Sequence, residues 1–426
     1  MSTINILWFS LSPCGSIRRY KETRVTQGWM ISLEDEIKKI PNIKLSVAYI
    51  SFKNEEPYNY DGVTYYPIWK NIPQNKIGRV LYRFIPNKKL DALVLPKLLK
   101  IVEFSKPDLI HVHGTEDCFG LIQNKIKNIP IVFSIQGLIA PYKEKYFSGI
   151  SFNDANKYET FWDKIRLLSV QNDYKSFCYR AKREIYYLSN AKYIFGRTFW
   201  DKYCTLALNP KRKYFTVNEI LRDIFYRVRW NKNSFDDTIK LVSTISGGIY
   251  KGFETVLKTM HILSTYADFK FEWHIAGYTK QSKWVKISEK ITGLKSSDYP
   301  IKFYGRIDAE QLSDLLISSD IYVHVSHIEN SPNSVCEAML LGMPIIASFA
   351  GGTASLLANG KEGLLYQDGD PYVLAGSILK IAGNFNYAKQ MGNAAFKRAI
   401  IRHDKQQIVN ELIYAYKEII SYKNKS

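Results

Sequence analysis

Two glutamates, Glu329 and Glu337, stand with seven residues between them in Val-Ser-His-Ile-Glu-Asn-Ser-Pro-Asn-Ser-Val-Cys-Glu. Within that interval Ser331 is a natural N-cap and Pro332 suits the first position of a helix, so a strand ending near Val325 should give way to a helix here. Amides of a helix's first turn have no intrahelical acceptor, and with the positive end of the dipole they attract anions. Asn330, Ser331, Pro332, Asn333 and Ser334 therefore form a candidate phosphate-binding turn. Glu329, just before it, is placed to touch sugar hydroxyls; Glu337, about one turn into the helix, is placed to accept from ribose hydroxyls. Rival readings stand beside these. Ser334-x-x-Glu337 also fits a capping box, and Gly351-Gly352, which would let backbone approach a bulky ligand, also fits a plain turn.

A second segment, Ile245-Ser246-Gly247-Gly248-Ile249-Tyr250-Lys251-Gly252, carries an ammonium suited to a diphosphate leaving group, where negative charge grows as the bond breaks. An exposed lysine at a helix start is the alternative. Ser246, Gly248, Gly277 and Arg306, after the ends of expected strands, are further candidate ligand contacts in this half. The amino-terminal half offers Gly15 and Ser16 after the first strand, Gln136 at a strand end, and Arg197, which either meets an acidic ligand or pairs with Asp201. His111 and His113 share one face of a strand, as a catalytic His113 or as buried scaffold. Asp368-Gly-Asp370 fits a metal-binding D-x-D, but Asp370-Pro371 reads better as a helix cap. The spacing of His324 and His327 does not make a metal site, so no metal and no cofactor is expected.

Positioning these residues requires short apolar strands alternating with helices, the pattern of parallel βα units. Strands are expected at 4–10, 44–50, 63–69, 108–113, 129–135, 193–196 and 214–217. A polar stretch without clear period follows at 226–237, then strands at 240–245, 271–276, 301–304, 321–325 and 344–348. Two helices, about 386–402 and 404–423, end the chain. The reading is a first domain over 1–225, a linker at 226–237, a second domain over 238–400, and a terminal helix within 401–426 that crosses back to the first. Ligands of such sheets sit beyond the carboxyl ends of the strands.

A chain of 426 residues with 46% hydrophobic and 23% charged residues has the balance of a folded two-domain protein. The net charge of +19 is uneven, with 35 Lys and Arg against 21 Asp and Glu in residues 1–225. No recognition helix, zinc finger or RNA-binding motif accompanies that charge, so nucleic acid is not the expected partner. A solvated basic surface and attraction to an anionic membrane both remain. The Tyr142–Tyr146 and Tyr174–Tyr187 stretches, aromatic and basic, fit either a lipid-facing surface or a cover over the first domain. Five scattered cysteines without C-x-x-C, no signal peptide and no membrane span place the expected location in the cytoplasm, including the cytoplasmic face of the membrane.

Together the two-glutamate segment, Ala338-Met339, Gly342-Met343-Pro344 and Gly351-Gly352 resemble the family-4 retaining glycosyltransferases of the GT-B fold. The resemblance is specific over 240–380 and looser from residue 4 onward. It implies an α/β architecture of two Rossmann-like doubly wound domains facing across a cleft. It also implies a nucleotide-diphosphate sugar donor, UDP- or GDP-linked, and a saccharide or lipid-linked oligosaccharide acceptor in cell-surface polysaccharide synthesis. In the family's pattern Glu329 faces the donor sugar, Asn330 to Ser334 hold sugar and phosphate oxygens, Glu337 holds the ribose, and His113 lies near the reacting sugar. Gly15 and Ser16 match a glycine-rich acceptor loop. An arginine that helps Lys251 is replaced here by Ser246, and Arg306 is its candidate substitute; a histidine found in many relatives is replaced by Gln136. These departures keep open a non-catalytic nucleotide-sugar-binding subunit, beside another sugar-nucleotide enzyme such as an epimerase.

Overall fold

The computed structural model describes residues 3–20, 28–73 and 75–423; the extreme ends of the expected domains, 1–2 and 424–426, lie outside the described residues. The chain divides into two compact units. The first comprises 1–143, 161–220 and 404–426; the second comprises 144–160 and 221–403. These bounds differ from a linear division: residues 144–160 fold with the second unit although the chain on both sides of them belongs to the first.

The first unit holds β1 (Ile4–Ser10), β2 (Ile43–Ser51), β3 (Tyr58–Tyr60), β4 (Val63–Trp69), β5 (Leu109–His113), β6 (Ile131–Ser134), β7 (Tyr193–Gly196) and β8 (Lys213–Thr216). They form one sheet in the order β3-β4-β2-β1-β5-β6-β7-β8, parallel except for the β3–β4 pair. Alternation places successive side chains on opposite faces. Ile6 and Trp8 enter one core and Leu7 and Phe9 the other. The helices that matter to the site are α1 (Gly28–Ile37), α2 (Asn87–Ser105) and α3 (Val170–Leu188).

In the second unit β9 (Thr238–Thr244), β10 (Lys270–Ala276), β11 (Ile301–Gly305), β12 (Ile321–His324), β13 (Ile345–Phe349) and β14 (Leu364–Gln367) form an all-parallel sheet. Its order is β11-β10-β9-β12-β13-β14. Leu241 packs on one face and Val242 on the other. Helices α4 (Phe253–Tyr266), α5 (Asn333–Leu341) and α6 (Pro371–Ala382) follow β9, β12 and β14. Asp370 caps α6, accepting from the amides of Tyr372 and Val373 with Pro371 next to it. Among the described residues no helix is long and apolar enough to cross a membrane.

Candidate active site

In the second sheet the chain leaves β9 toward β10 on one side, whereas β12 pairs with β9 on the other. That reversal makes the carboxyl ends of β9 and β12 a topological switch point, the place where ligands meet doubly wound sheets. The two segments singled out from the sequence are the loops that open there. Lys251 ends a single 3-10 turn, Ile249–Lys251, after β9, and Glu329 lies in the loop after β12. Their side chains form an ion pair. Burial alone would lower the pKa of the Lys251 ammonium, but the Glu329 carboxylate outweighs it and the net direction is upward. The lysine is therefore a cation at neutral pH.

Glycines allow these loops to lie so close. Gly252 has φ +77°, and a Cβ there would fall 2.0 Å from the Val325 carbonyl oxygen. Gly351, at φ +55°, would place a Cβ 2.0 Å from the Glu329 carbonyl, which also accepts from the Gly352 amide at 2.8 Å. The Gly-Gly pair thus holds the Glu329 backbone itself. The Gly277 amide donates to Gly305 at 2.7 Å, and its missing Cβ admits the Ile245 carbonyl. Gly248 lies against the Tyr250 ring, and Ser246 is exposed. Arg306 is exposed after β11, with β10 intervening between it and the Ser246 loop.

Helix α5 begins at Asn333, where the sequence suggests a helix, with its cap one residue beyond Ser331. Pro332 is the N-cap, and the Val335 and Cys336 amides return to the Pro332 carbonyl at 3.0 and 3.2 Å. The amides of Asn333 and Ser334 thus fall in the first turn, where a helix has no internal acceptor for them. Asn330 and Ser331 are buried beside it. The capping-box alternative does not form, because Ser334 is already helical and the Glu337 carboxylate is engaged elsewhere. Arg222 donates to both its oxygens at 2.8 Å. Burial pushes the Glu337 carboxyl upward, against the pull of that guanidinium. Sequence reasoning missed Arg222, which lies 115 positions away from its partner with no local pattern to flag it.

His327 also went unassigned. It is buried, and its ring nitrogens meet Asp368 and Glu254, each at 2.6 Å. Its amide donates to the Tyr250 carbonyl at 2.9 Å, fastening the Glu329 loop to the Lys251 loop. Burial would lower this imidazole, yet hydrogen bonds to the Asp368 and Glu254 carboxylates raise it to about 9. His324, by contrast, is pushed down to about 4 by burial.

The first unit has its own switch point, between β1 and β5. After β1, Cys14 takes φ +50° and the Gly15 amide donates to Glu34 Oε2 of α1 at 3.0 Å. A Cβ on Gly15 would lie 2.1 Å from Glu34 Oε1. Tyr65 donates to the same carboxyl, which burial pushes upward. Ser16 is turned inward, its hydroxyl donating to Pro13 at 2.7 Å. The two histidines have separate roles. His111 is bound on both ring nitrogens, to Tyr416 and to Ser134, each at 2.6 Å. His113 is equally buried, but both its ring nitrogens lack a hydrogen-bond partner. Burial holds it well below the ordinary range, so it is a neutral imidazole. It lies at the end of β5 against Trp8, at 4.6 Å between ring centroids. Trp29 stands between it and the Arg197 guanidinium, which stacks over that indole at 4.5 Å and meets Glu219 at 3.5 Å. Asp201 accepts from the backbone amide of Arg197. Gln136 is half-buried beyond β6, near Gly114.

Residues 227–398 match the family Glycosyl transferases group 1. An uncharacterized glycosyltransferase of Methanocaldococcus jannaschii is 29% identical over 167 residues, 38% of this chain and 41% of that protein. The chain thus spans well under two thirds of that relative's length. Among solved structures, the sucrose-phosphate synthase of Thermosynechococcus elongatus superposes with a TM-score of 0.69 at 15% identity, over 98% of this chain and all of that one. HepE of Anabaena, in complex with UDP and glucose, superposes with a TM-score of 0.64 at 15% identity, over 97% of this chain and 99% of that one. At such identities the likeness is one of fold, two Rossmann-like domains of the GT-B type.

Proposed function

We propose that this chain, whose residues 227–398 match the glycosyl transferases group 1 family, moves a sugar from a nucleotide-diphosphate donor to a saccharide or lipid-linked oligosaccharide with retention of anomeric configuration. Cell-surface polysaccharide synthesis at the cytoplasmic face of a membrane is the setting we assign. One observation carries the reading: Lys251 and Glu329 meet at the switch point of the second sheet, beside the open amides of α5. The diphosphate takes the amides of Asn333 and Ser334 and the Lys251 ammonium, the donor sugar takes Glu329, and the ribose takes Glu337, steadied by Arg222. As the glycosidic bond breaks, negative charge grows on the leaving phosphate, where a fixed cation and fixed amides stabilise the transition state more than the ground state. His113, neutral and with unpaired ring nitrogens, takes an acceptor hydroxyl on the first unit in this reading. The UDP and glucose complex of HepE supports a UDP-linked donor.

Glu329→Ala and Lys251→Ala should each cut turnover about 100- to 1,000-fold, the scale of losing one preorganised electrostatic group, with the protein still folded. Full turnover in either variant refutes the assignment. No metal enters this scheme, so transfer should persist in excess EDTA; activity lost and then restored by Mg2+ or Mn2+ contradicts it. A second reading, a subunit that binds nucleotide sugar without transferring it, draws on Ser246 at the position of the expected arginine and on Arg306 beyond β10. Donor binding with neither transfer nor donor hydrolysis favours that subunit.

A further inference from the structure

We infer that helix Lys76–Arg83 and the segment Phe161–Leu168, both in the first unit, form one face that docks on an anionic lipid bilayer. The inference deepens the membrane setting proposed above and rests on it. The Tyr142–Tyr146 stretch does not supply this face, since Tyr142 and Tyr146 are buried. Helix Lys76–Arg83 instead buries none of its residues. Ile77, Leu81 and Phe84, at intervals of four and three, line one side of it and are 76%, 62% and 58% exposed. Arg83 donates to the Arg166 carbonyl at 3.1 Å, which joins the helix to the second segment. There Phe161, Trp162 and Ile165 are 71%, 62% and 48% exposed.

The charges around these apolar groups identify the occupant. From Lys70 to Leu90 the chain has six cations and no acid. Lys76, Arg79 and Arg83 flank the apolar side of the helix, and Lys164 and Arg166 flank the aromatic pair, against Asp163 alone. The Arg166 guanidinium lies over the Trp162 ring at 5.7 Å. A helix with an apolar side of Leu, Ile and Phe beside a basic one, joined to a segment with an exposed Trp, suits the boundary between headgroups and acyl chains. A second copy of this chain would bring the same cations against themselves.

The test uses the full chain and sedimentation with vesicles of phosphatidylcholine alone or mixed with phosphatidylglycerol, at low and high salt. Binding is expected only to the mixed vesicles and should weaken with salt. Each basic residue near such a surface contributes about fivefold to partitioning, so Arg79→Gln with Lys164→Gln should weaken binding about 25-fold. Leu81→Ser with Trp162→Ser should abolish it. Donor hydrolysis and transfer to a soluble acceptor should be unchanged in both double variants. Equal binding to phosphatidylcholine alone, or double variants that bind like the unaltered chain, overturns the inference. So does a concentration-dependent dimer in sedimentation velocity that Leu81→Ser with Trp162→Ser disperses, with no vesicle binding. Vesicle binding with no transfer to any acceptor would defeat the enzymatic reading and leave this face standing.

Discussion

Lys251 and Glu329, which the fold brings together, stand out in the sequence because each sits in a short run of unusual residue types, Gly-Gly before the lysine and Asn-Ser-Pro after the glutamate. Their neighbours do not. Arg222, Glu34 and His327 act through partners far off in the chain, which leave no local period or spacing. His327 gives a prediction of its own. Its pKa rises from about 6.5 in the unfolded chain to about 9 in the folded one. The stabilisation is therefore fully present below about pH 6.5 and is lost as pH climbs through 9. A shift of that size corresponds to about 3 kcal/mol. Urea unfolding of the second unit should show a fall in stability between pH 7 and pH 10. Asp368→Asn removes one of the two carboxylates and should move the fall to lower pH. A stability curve indifferent to that substitution would contradict the pairing.

Strands and helices followed from period and punctuation more faithfully than side-chain partnerships did. Val63–Trp69 and Tyr193–Gly196 were located to the residue, since alternation and turn residues bound them on both sides. Tyr58–Tyr60 escaped because three residues carry too little period, and Leu364–Gln367 escaped as well. Three helices around the Tyr174–Tyr187 stretch, Phe152–Lys157, Phe161–Ile165 and Val170–Leu188, show the use of punctuation, each of the outer two being opened by a serine cap. Glycines illustrate the same divide. Gly351, open in sequence to ligand access or a plain turn, also seats the Glu329 carbonyl. Gly351→Ala should cost about 1–2 kcal/mol from its left-handed backbone alone, with more from the clash, and should lower turnover with it. Gly376, exposed within α6, is the counterpart, since a Cβ there would meet nothing within 4 Å. Gly376→Ala should raise stability by about 0.5–1 kcal/mol without touching activity. Thermal melts and turnover measured on both variants check the contrast; equal effects at the two positions would sink it.

At the scale of the molecule, the first unit is assembled from three stretches of chain, the last of them 404–426. The closing helix α7 (Lys405–Lys423) buries Ile408, Val409, Leu412, Ala415, Tyr416 and Ile419 in the same core as Ile6, Trp8, Met30 and Leu33. Their spacing of three and four is that of one helical face. The Tyr416 hydroxyl accepts from the Trp8 indole at 3.0 Å and meets His111 Nδ1 at 2.6 Å. Each large apolar side chain withdrawn from such a core costs about 1.5–3 kcal/mol. Losing Ile408, Leu412, Tyr416 and Ile419 together approaches the whole stability of a domain, about 5–15 kcal/mol. A chain ending at His403 should therefore lose hydrogen-exchange protection across β1, β2 and β5. It should keep protection across β9, β10, β12 and β13, whose core includes none of those residues. Tyr416→Phe is the milder version: it strands the Trp8 N–H and one His111 nitrogen, at about 1–3 kcal/mol for each buried group left unsatisfied. Its loss of protection should fall on the first unit alone. Protection lost equally from both sheets, or from neither, would mean that the last helix does not complete the first core.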